Sequence, residues 1–414
     1  MTSSLARVAA LRQDGDPRRR RDGWHAVAAL AITQTVGFGV LYYSFAVFLA
    51  PLAADLHTST TVVTGAATLA ILVAAAAALP VGRWLDRRGG RGVMTAGSIL
   101  GAAGVLAWSQ VRTVAELYVV FAVIGLASAM ALYEPAFAVI VGRFDERRRP
   151  GALLAITIVA GFASTIFLPL AGVLEARLGW RVAVLILAAV LAVTTIPLHA
   201  AALPRTVLRS TSDPTAHRAG VIRQALRDRA FWLLVLAFVA QGAAVSIIAI
   251  HLVAYLVALG HPPAFAASTA GLLGVLSVTG RLITTGLRRR LRTTTVTAAV
   301  FALQGLAAAL LPVVGRGRAG AIACVVLFGL GFGVATISRP ALLAERYDTS
   351  AYGSLAGALA LPATLAKAGA PLAAAALATT TGSYTPVMAA VTTGCLLAAV
   401  ALALVRQQKA APRT

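Results

Sequence analysis

The sequence predicts an all-α membrane protein with twelve transmembrane helices arranged in two six-helix halves. The chain is 59% hydrophobic and only 12% charged, whereas soluble proteins carry about 25% charged residues. Its apolar residues form twelve runs, each close to or above the roughly 20 residues that a helix needs to cross a bilayer. The longest polar segment divides these runs six and six.

The lengths of the apolar runs favour helices over barrel strands. A helix satisfies its backbone hydrogen bonds within one segment, as the hydrocarbon core requires. The predicted spans, numbered 1 to 12 in chain order, are 25–54, 61–84, 92–110, 114–142, 151–174, 181–203, 230–258, 264–287, 294–314, 319–338, 353–378 and 385–405.

Polar segments divide the chain into five parts. Residues 1–24 are basic and are expected to be a disordered cytoplasmic tail, and the remaining parts are the N-terminal half 25–203, a cytoplasmic linker 204–229, the C-terminal half 230–405 and a cytoplasmic tail 406–414. Two equal halves indicate a duplicated transporter with its substrate site between them, near the middle of the membrane.

Basic residues are concentrated on one side of the predicted membrane. If the N-terminus is cytoplasmic, the cytoplasmic segments hold 29 of the 36 Lys and Arg residues and the opposite loops hold 5. Positive loops favour the cytoplasm, so both termini are predicted to lie on the cytoplasmic side of the cell membrane. The net charge of +22 therefore reflects topology, and its distribution in short loops excludes a nucleic-acid-binding function.

The motifs argue against an enzyme, a cofactor or a metal site. Cys324 and Cys395 both lie in apolar runs, which predicts neither a disulfide framework nor a metal cluster. The sequence carries no nucleophile motif or metal-ligand spacing. A non-transporting membrane sensor stays an alternative, although no polar segment is long enough for an output domain. We expect a monomer in the lipid bilayer.

The loop between spans 2 and 3 carries the most specific motif. It reads Gly-Arg-Trp-Leu-Asp-Arg-Arg-Gly-Gly-Arg over residues 82–91, which resembles the signature loop of the major facilitator superfamily, G-x-x-x-D-R-x-G-R-R/K. Gly90 departs from the usual basic residue. The positions that match are Gly82, Asp86, Arg87, Gly89 and Arg91. The resemblance implies a transporter that works by alternating access, with this loop as part of its gate.

The matching residues have a physical role in such a gate. Gly82 allows two helices to approach closely. Asp86 is expected to pair with Arg87, with Arg143 or with the N-terminus of a later helix. Such a pair would hold the two halves together in one state and break in the other.

Weaker motifs over most of the chain resemble the monocarboxylate-porter and oxalate/formate-antiporter branch of that superfamily, in its bacterial form. They include Gly179-Trp180-Arg181, Gly280-Arg281 and Gly369-Ala370-Pro371. This resemblance implies secondary transport of a small organic anion such as a monocarboxylate, with co-transport of a proton as a hypothesis.

Two departures limit the resemblance. Animal members of the branch have a lysine where this chain has Ser44 and an aspartate where it has Ser277, so their proton mechanism does not carry over intact. Efflux of drugs or other hydrophobic or cationic compounds is the alternative, although span 5 lacks the Gly-Pro pair of proton/drug antiporters.

Charged residues inside the spans are candidate functional residues, because each costs about 2.5–3.5 kcal/mol on insertion scales. Arg281 in span 8 has no charged counterpart in the first half. The resemblance implies that it binds the substrate's carboxylate, and snorkelling to the interface is the alternative. Lys367 in span 11 is a second candidate anion ligand or a partner for Glu134. Arg339 is interpreted as interfacial.

Glu134 in span 4 has two interpretations, a proton carrier or a static partner for a basic side chain. The neutral candidates for substrate binding are Gln34, Tyr42 and Tyr133. Each can hydrogen-bond a carboxylate, but each can equally bond a neighbouring helix.

Overall fold

The computed structural model describes residues 17–145, 147–203 and 214–407. Within this part of the chain, 12 helical units are long and apolar enough to cross a membrane. They are Gly23–Asp55, Thr61–Arg88, Gly90–Trp108, Val114–Arg143, Arg149–Leu178, Trp180–Ala202, Arg229–Ala258, Ser268–Leu287, Thr293–Val314, Arg318–Arg346, Thr349–Thr381 and Thr385–Val405. Their number and order agree with the twelve predicted spans, so the predicted fold class is confirmed.

Several spans consist of two helices joined end to end. In the first half the helices are Pro17–Phe38, a π-helix Gly39–Tyr43, Phe45–Asp55, Thr60–Arg88, Gly90–Trp108, Val114–Ala131, Tyr133–Arg143, Arg149–Ala160, Ala163–Leu178 and Trp180–Ala202. After the linker helix Pro214–Arg227, the second half has Arg229–Ala258, Pro263–Leu287, Thr293–Val314, Arg318–Phe332, Val334–Arg346, a 3-10 turn Thr349–Ala351, Tyr352–Thr381 and Thr385–Gln407.

Each half packs around apolar cores of its own. In the first half, Phe48, Trp108 and Phe121 form edge-to-face pairs with ring centroids 5.2–5.6 Å apart. In the second half, Phe238 meets Phe301 edge to face at 6.1 Å. Such aromatic pairs are worth about 0.5–1.5 kcal/mol beyond the area they bury. The halves are therefore packed bodies, and the contacts between them decide how they move.

Spans 2 and 11 join the two halves by backbone contact. A Cβ atom on Gly82 would lie 2.1 Å from the carbonyl oxygen of Gly353, and one on Gly357 would lie 2.3 Å from the carbonyl oxygen of Ala78. Real Cβ atoms do not approach a backbone oxygen this closely. The two helices can meet here only because these positions are glycine, as the sequence predicts for Gly82.

Asp86 holds the N-terminus of the span 11 helix. Its Oδ1 accepts the backbone N–H of Gly353 at 2.7 Å, and its Oδ2 accepts the backbone N–H and the hydroxyl of Ser354 at 2.8 and 2.6 Å. A carboxylate at a helix N-terminus is also favoured by the helix dipole. Of the three predicted partners, the N-terminus of a later helix is the one bonded. We call this contact the Asp86 latch.

The remaining motif residues shape the loop beside the latch. Gly89 ends the span 2 helix with a φ of 78°, a conformation that favours glycine. A Cβ atom on Gly90 would lie 2.1 Å from a methyl group of Val139, which explains the glycine at a position that is usually basic. Arg87 is exposed.

The polar segments differ from prediction in two places. The first helix begins at Pro17, so residues 17–24 are helical rather than part of a disordered tail, and Trp24 packs against Phe144 with a centroid distance of 5.9 Å. In the predicted linker 204–229, residues 214–227 form a helix. Residues 1–16, 204–213 and 408–414 lie outside the described part of the chain.

The contact of spans 2 and 11 gives a stability prediction. Gly82→Ala should lower the thermal midpoint in detergent, because the new methyl group forces two backbones apart at a cost of about 1–3 kcal/mol. Gly92→Ala is the matched control, since a Cβ atom there meets no heavy atom within 4 Å. Equal thermal midpoints for the two variants would contradict the backbone contact.

Candidate substrate site between the halves

Four spans are interrupted near their middle. Span 1 contains the π-helix Gly39–Tyr43, and span 4 has an extended residue at Leu132. Span 5 turns at Gly161, and span 10 turns at Gly333. Irregular backbone at membrane depth is tolerated only where protein buries it or where it lines a cavity. These four interruptions therefore mark the region in which to look for a site.

The local sequence explains why the helices break there. Pro135 is the third residue of the helix that follows Leu132, where a missing N–H is tolerated. Gly333 must be glycine, because a Cβ atom would lie 2.3 Å from the Ser277 hydroxyl oxygen and 2.4 Å from Nε of Arg281. Gly39 packs against the ring of Phe167 with no room for a Cβ atom.

Arg281 lies where these interruptions converge. Its Nη1 donates to the carbonyl oxygen of Thr157 at 2.7 Å, its Nε to that of Gly333 at 3.3 Å, and its Nη2 to the hydroxyl of Ser277 at 3.0 Å. Thr157 belongs to the first half, so the guanidinium bridges the halves. It is also in electrostatic contact with Tyr43 and Tyr133.

The surroundings of Arg281 stabilise a positive charge without neutralising it. Thr157 and Gly333 lie at the C-terminal ends of the helices Arg149–Ala160 and Arg318–Phe332, and a helix C-terminus carries partial negative charge. All three acceptors are uncharged, and no ion pair involves this arginine among the described residues. Its charge therefore remains available to an anion.

Glu134 forms an ion pair with Arg339 across the two halves. Glu134 follows the interruption in span 4, and Arg339 follows the interruption in span 10. Their side chains keep 29% and 16% of their exposed area, so the pair is not sealed from the cavity. Glu134 thus has a basic partner, but that partner is Arg339 and not Lys367.

Lys367 lies in the middle of span 11 and is exposed within the bundle. Its aliphatic stem packs on Gly242 of span 7, and it is in electrostatic contact with both Glu134 and Arg339. No hydrogen bond or ion pair involves its ammonium group in the described part of the chain. It is a second cation without a counter-ion.

The neutral candidates separate into two groups. Tyr133 stacks on Phe137 with centroids 4.9 Å apart and lies beside Arg281, while Tyr42 is 55% exposed. Gln34, in contrast, is fully buried, and its amide donates to the carbonyl oxygen of Ala131 at 2.8 Å. Ala131 is the last residue before the break in span 4, so this hydrogen bond ties Gln34 of span 1 to that break.

Two positions singled out by comparison with the resembled branch have structural partners. Ser44 is fully buried, and its hydroxyl donates to the carbonyl oxygen of Val40 in the π-helix at 2.7 Å. Ser277, in place of an aspartate, accepts a hydrogen bond from Arg281. The chain therefore has no charged group at either position, and its deep charges are Arg281 in span 8 itself, Glu134 in span 4, Arg339 in span 10 and Lys367 in span 11.

Arg339 is the residue that sequence reasoning missed. The prediction ends span 10 at residue 338, but the helix continues through Pro340 to Arg346. Arg339 therefore lies seven residues inside its span end, the same interval that separates Arg281 from Arg288. That matching interval is the signal that could have identified it.

The structure brings the intramembrane candidates together and places the gating loop toward one end of the bundle. Arg281, Lys367, Glu134 and Tyr133 surround one region between the halves, together with Arg339. The residues of the loop 82–91 lie at one end of the bundle, at the Asp86 latch. Site and latch are neighbouring parts of the same interface, since Tyr352 interacts electrostatically with Glu134 and Arg339 as well as with Asp86.

Comparison of the sequence with known proteins gives a family match and a related transporter. The sequence matches the Major Facilitator Superfamily over residues 30–371. Monocarboxylate transporter 13 of Bos taurus is 29% identical over 264 residues, which are 63% of this chain and 60% of that protein. The matched segment thus spans less than two thirds of that relative.

Several solved structures share the fold. A bacterial homologue of the iron transporter ferroportin, in an outward-facing state with soaked iron, has a TM-score of 0.75 at 16% identity and covers 93% of this chain and 99% of its own. The E. coli fucose:proton symporter has a TM-score of 0.69 at 14% identity, with coverage of 92% and 98%. The human organic anion transporter MFSD10 has 0.66 at 16%, with coverage of 94% and 100%.

Identities this low show the fold alone, whereas the superfamily match extends over most of the chain. It agrees with the twelve spans and with the loop at residues 82–91. The chain belongs to the Major Facilitator Superfamily and is a secondary transporter rather than an enzyme.

Proposed function

We propose that this transporter carries a small organic anion, such as a monocarboxylate, through the region between its halves. The observation that carries the proposal is the charge balance of the site. Three cations, Arg281, Arg339 and Lys367, face one carboxylate, Glu134. Since Arg339 is paired with Glu134, two positive charges remain, and an anionic substrate would neutralise them.

Arg281 is the proposed ligand of the carboxylate. A guanidinium presents a planar fork that matches a carboxylate with two parallel hydrogen bonds. Its present acceptors are neutral oxygens, which a charged carboxylate can replace with a gain in electrostatic energy. Tyr133 and the exposed Tyr42 supply hydroxyl groups for further hydrogen bonds, and Lys367 supplies the second charge.

The contacts between the halves support alternating access. The Asp86 latch and the contact of Gly82 with Gly353 close one end of the bundle, while Tyr42 and Lys367 are exposed deeper in it. The distribution of arginines predicts that the latched end is cytoplasmic, which makes this conformation outward-facing. Opening to the cytoplasm would require the latch and the Glu134–Arg339 pair to break.

Proton coupling through Glu134 is a consistent extension of this scheme. A proton on the carboxylate removes its negative charge and so weakens its attraction to Arg339 in the other half. The halves could then separate at this point with substrate bound. Release of the proton on the cytoplasmic side would restore the pair. The proton and the anion would therefore move in the same direction.

Substitution of Arg281 tests the anion site. Arg281→Ala should lower uptake of [14C]-lactate into proteoliposomes by about 10- to 100-fold, because a charge-assisted hydrogen bond is worth about 1.5–3 kcal/mol. Arg281→Lys should recover only part of the rate, since it keeps the charge but loses the fork. Arg289→Ala is the matched control, as Arg289 is exposed beyond the end of span 8.

Two outcomes would count against the anion site. Lactate uptake that is equal in Arg281→Ala and in the unsubstituted protein would rule out the carboxylate role. Export of a hydrophobic cation that does not depend on Arg281 would favour the efflux alternative. A panel of mono- and dicarboxylates, competing with labelled lactate, would narrow the substrate class.

Substitution of Glu134 tests the proton step. An inward proton gradient should accelerate uptake by the unsubstituted protein, and Glu134→Gln should transport at the same rate with and without the gradient. Glu345→Gln is the control, because Glu345 pairs with Arg288 within the second half. If Glu134→Gln kept the acceleration and Lys367→Met lost it, the proton step would belong to Lys367 instead.

A further inference from the structure

The linker between the halves contains a helix, Pro214–Arg227, that packs beside the latch. It contacts the 3-10 turn Thr349–Ala351 and the beginning of the span 11 helix, whose N-terminus Asp86 holds. The linker helix therefore lies against the element that must move when the halves separate at this end.

The inner face of the linker helix reaches the latch. Ala225 is fully buried, and Arg218, on the same face two turns earlier, is close enough to favour the charged form of Asp86, although no ion pair joins them among the described residues. The Nε atom of Arg218 is buried and has no hydrogen-bond partner within the described residues. A small movement of the helix would therefore change the electrostatic environment of the latch carboxylate.

The outer face carries two arginines with no counter-ion. Arg223 and Arg227 are exposed and lie one helical turn apart. Like charges at this spacing repel each other and destabilise a helix. In the part of the chain that the structure describes, no ion pair involves either residue. An anion bound between the two guanidinium groups would convert this repulsion into attraction.

Apolar groups next to these arginines place the face at the membrane surface. Leu226 is 42% exposed and Trp232 is 54% exposed, and the indole N–H of Trp232 donates to the carbonyl oxygen of Leu226 at 2.9 Å. Tryptophan is enriched at the level of lipid headgroups. Arginines beside exposed leucine and tryptophan are typical of a helix that lies in this interface. A soluble anion would not account for the apolar groups.

We propose that Arg223 and Arg227 bind the phosphate of an anionic phospholipid in the cytoplasmic leaflet, and that the bound lipid positions the linker helix so that Arg218 stays beside Asp86. Binding follows from the charge and position of the outer face. The effect on the latch rests in addition on the proposed transport cycle. Both the lipid binding and its effect on the latch assume that the linker lies on the cytoplasmic side, as the distribution of loop arginines predicts.

Lipid retention tests the binding step. The purified protein in detergent is mixed with phosphatidylglycerol or phosphatidylcholine, and bound lipid is counted by native mass spectrometry. The variant Arg223→Gln/Arg227→Gln should bind phosphatidylglycerol about tenfold or more weakly, since each arginine near an anionic surface contributes to attraction. Phosphatidylcholine binding should be unchanged in the variant.

The control variant is Arg289→Gln/Arg290→Gln, which removes two exposed arginines at the same end of the bundle. It should retain phosphatidylglycerol like the unsubstituted protein. An equal loss in both double variants would overturn the site in favour of general surface charge. Displacement of the lipid by glycerol 3-phosphate at equal concentration would overturn the membrane source of the ligand.

Transport in vesicles of defined composition tests the effect on the latch. Phosphatidylglycerol should change the uptake rate of the unsubstituted protein and of the control variant by at least about twofold relative to phosphatidylcholine, but not that of Arg223→Gln/Arg227→Gln. If Arg223→Gln/Arg227→Gln no longer retains phosphatidylglycerol but its uptake rate still differs between phosphatidylglycerol and phosphatidylcholine vesicles, the link between the bound lipid and the latch is wrong. If no variant transports lactate in any lipid, the proposed substrate fails while lipid retention still decides the binding site.

Discussion

The positive charge of Arg281 inside the membrane is the constraint on which the site depends. A guanidinium at this depth needs hydrogen-bond acceptors, because water is absent from the hydrocarbon core. Two helices end beside it at Gly161 and Gly333, and the carbonyl oxygens of Thr157 and Gly333 accept its N–H groups in addition to the backbone N–H groups of Gly161 and Thr336. The breaks in spans 5 and 10, the glycine at position 333 and one contact between the halves therefore meet at this guanidinium.

The interface between the halves uses two kinds of contact, and both suit reversible separation. At the latch, glycines allow backbone contact and Asp86 caps a helix whose N–H groups water could also satisfy. In the site, Glu134 and Arg339 form the ion pair that joins the halves. Both contacts contain polar groups, which hydration can stabilise when the halves separate. Most apolar clusters lie within one half, although Val141 of the first half packs in the cluster of the second half that contains Phe231 and Phe301.

Sequence reasoning identified much of this arrangement and missed some of it. The lengths of the apolar runs predicted all twelve spans, and the loop motif led to Gly82 and Asp86. Arg339 was interpreted as interfacial, but the helix continues for seven residues beyond it. For Gln34 the two alternatives were a substrate ligand and a bond to a neighbouring helix, and its amide N–H bonds to span 4. Polarity within a span indicates that a residue has a partner and does not say which partner.

Composition, run length and loop charge are local properties, so the sequence by itself determined the number of spans, the expected orientation and the presence of deep charges in spans 4, 8 and 11. Pairing is not local. Glu134 and Arg339 are 205 residues apart in the chain, and Asp86 and Gly353 are 267 apart. Only the tertiary structure decided that Arg339 takes the carboxylate, which leaves Arg281 and Lys367 without a counter-ion. The pairing of Glu134 with Arg339 depends on which helix faces pack together, because only packing brings charges that are distant in the chain within hydrogen-bonding distance.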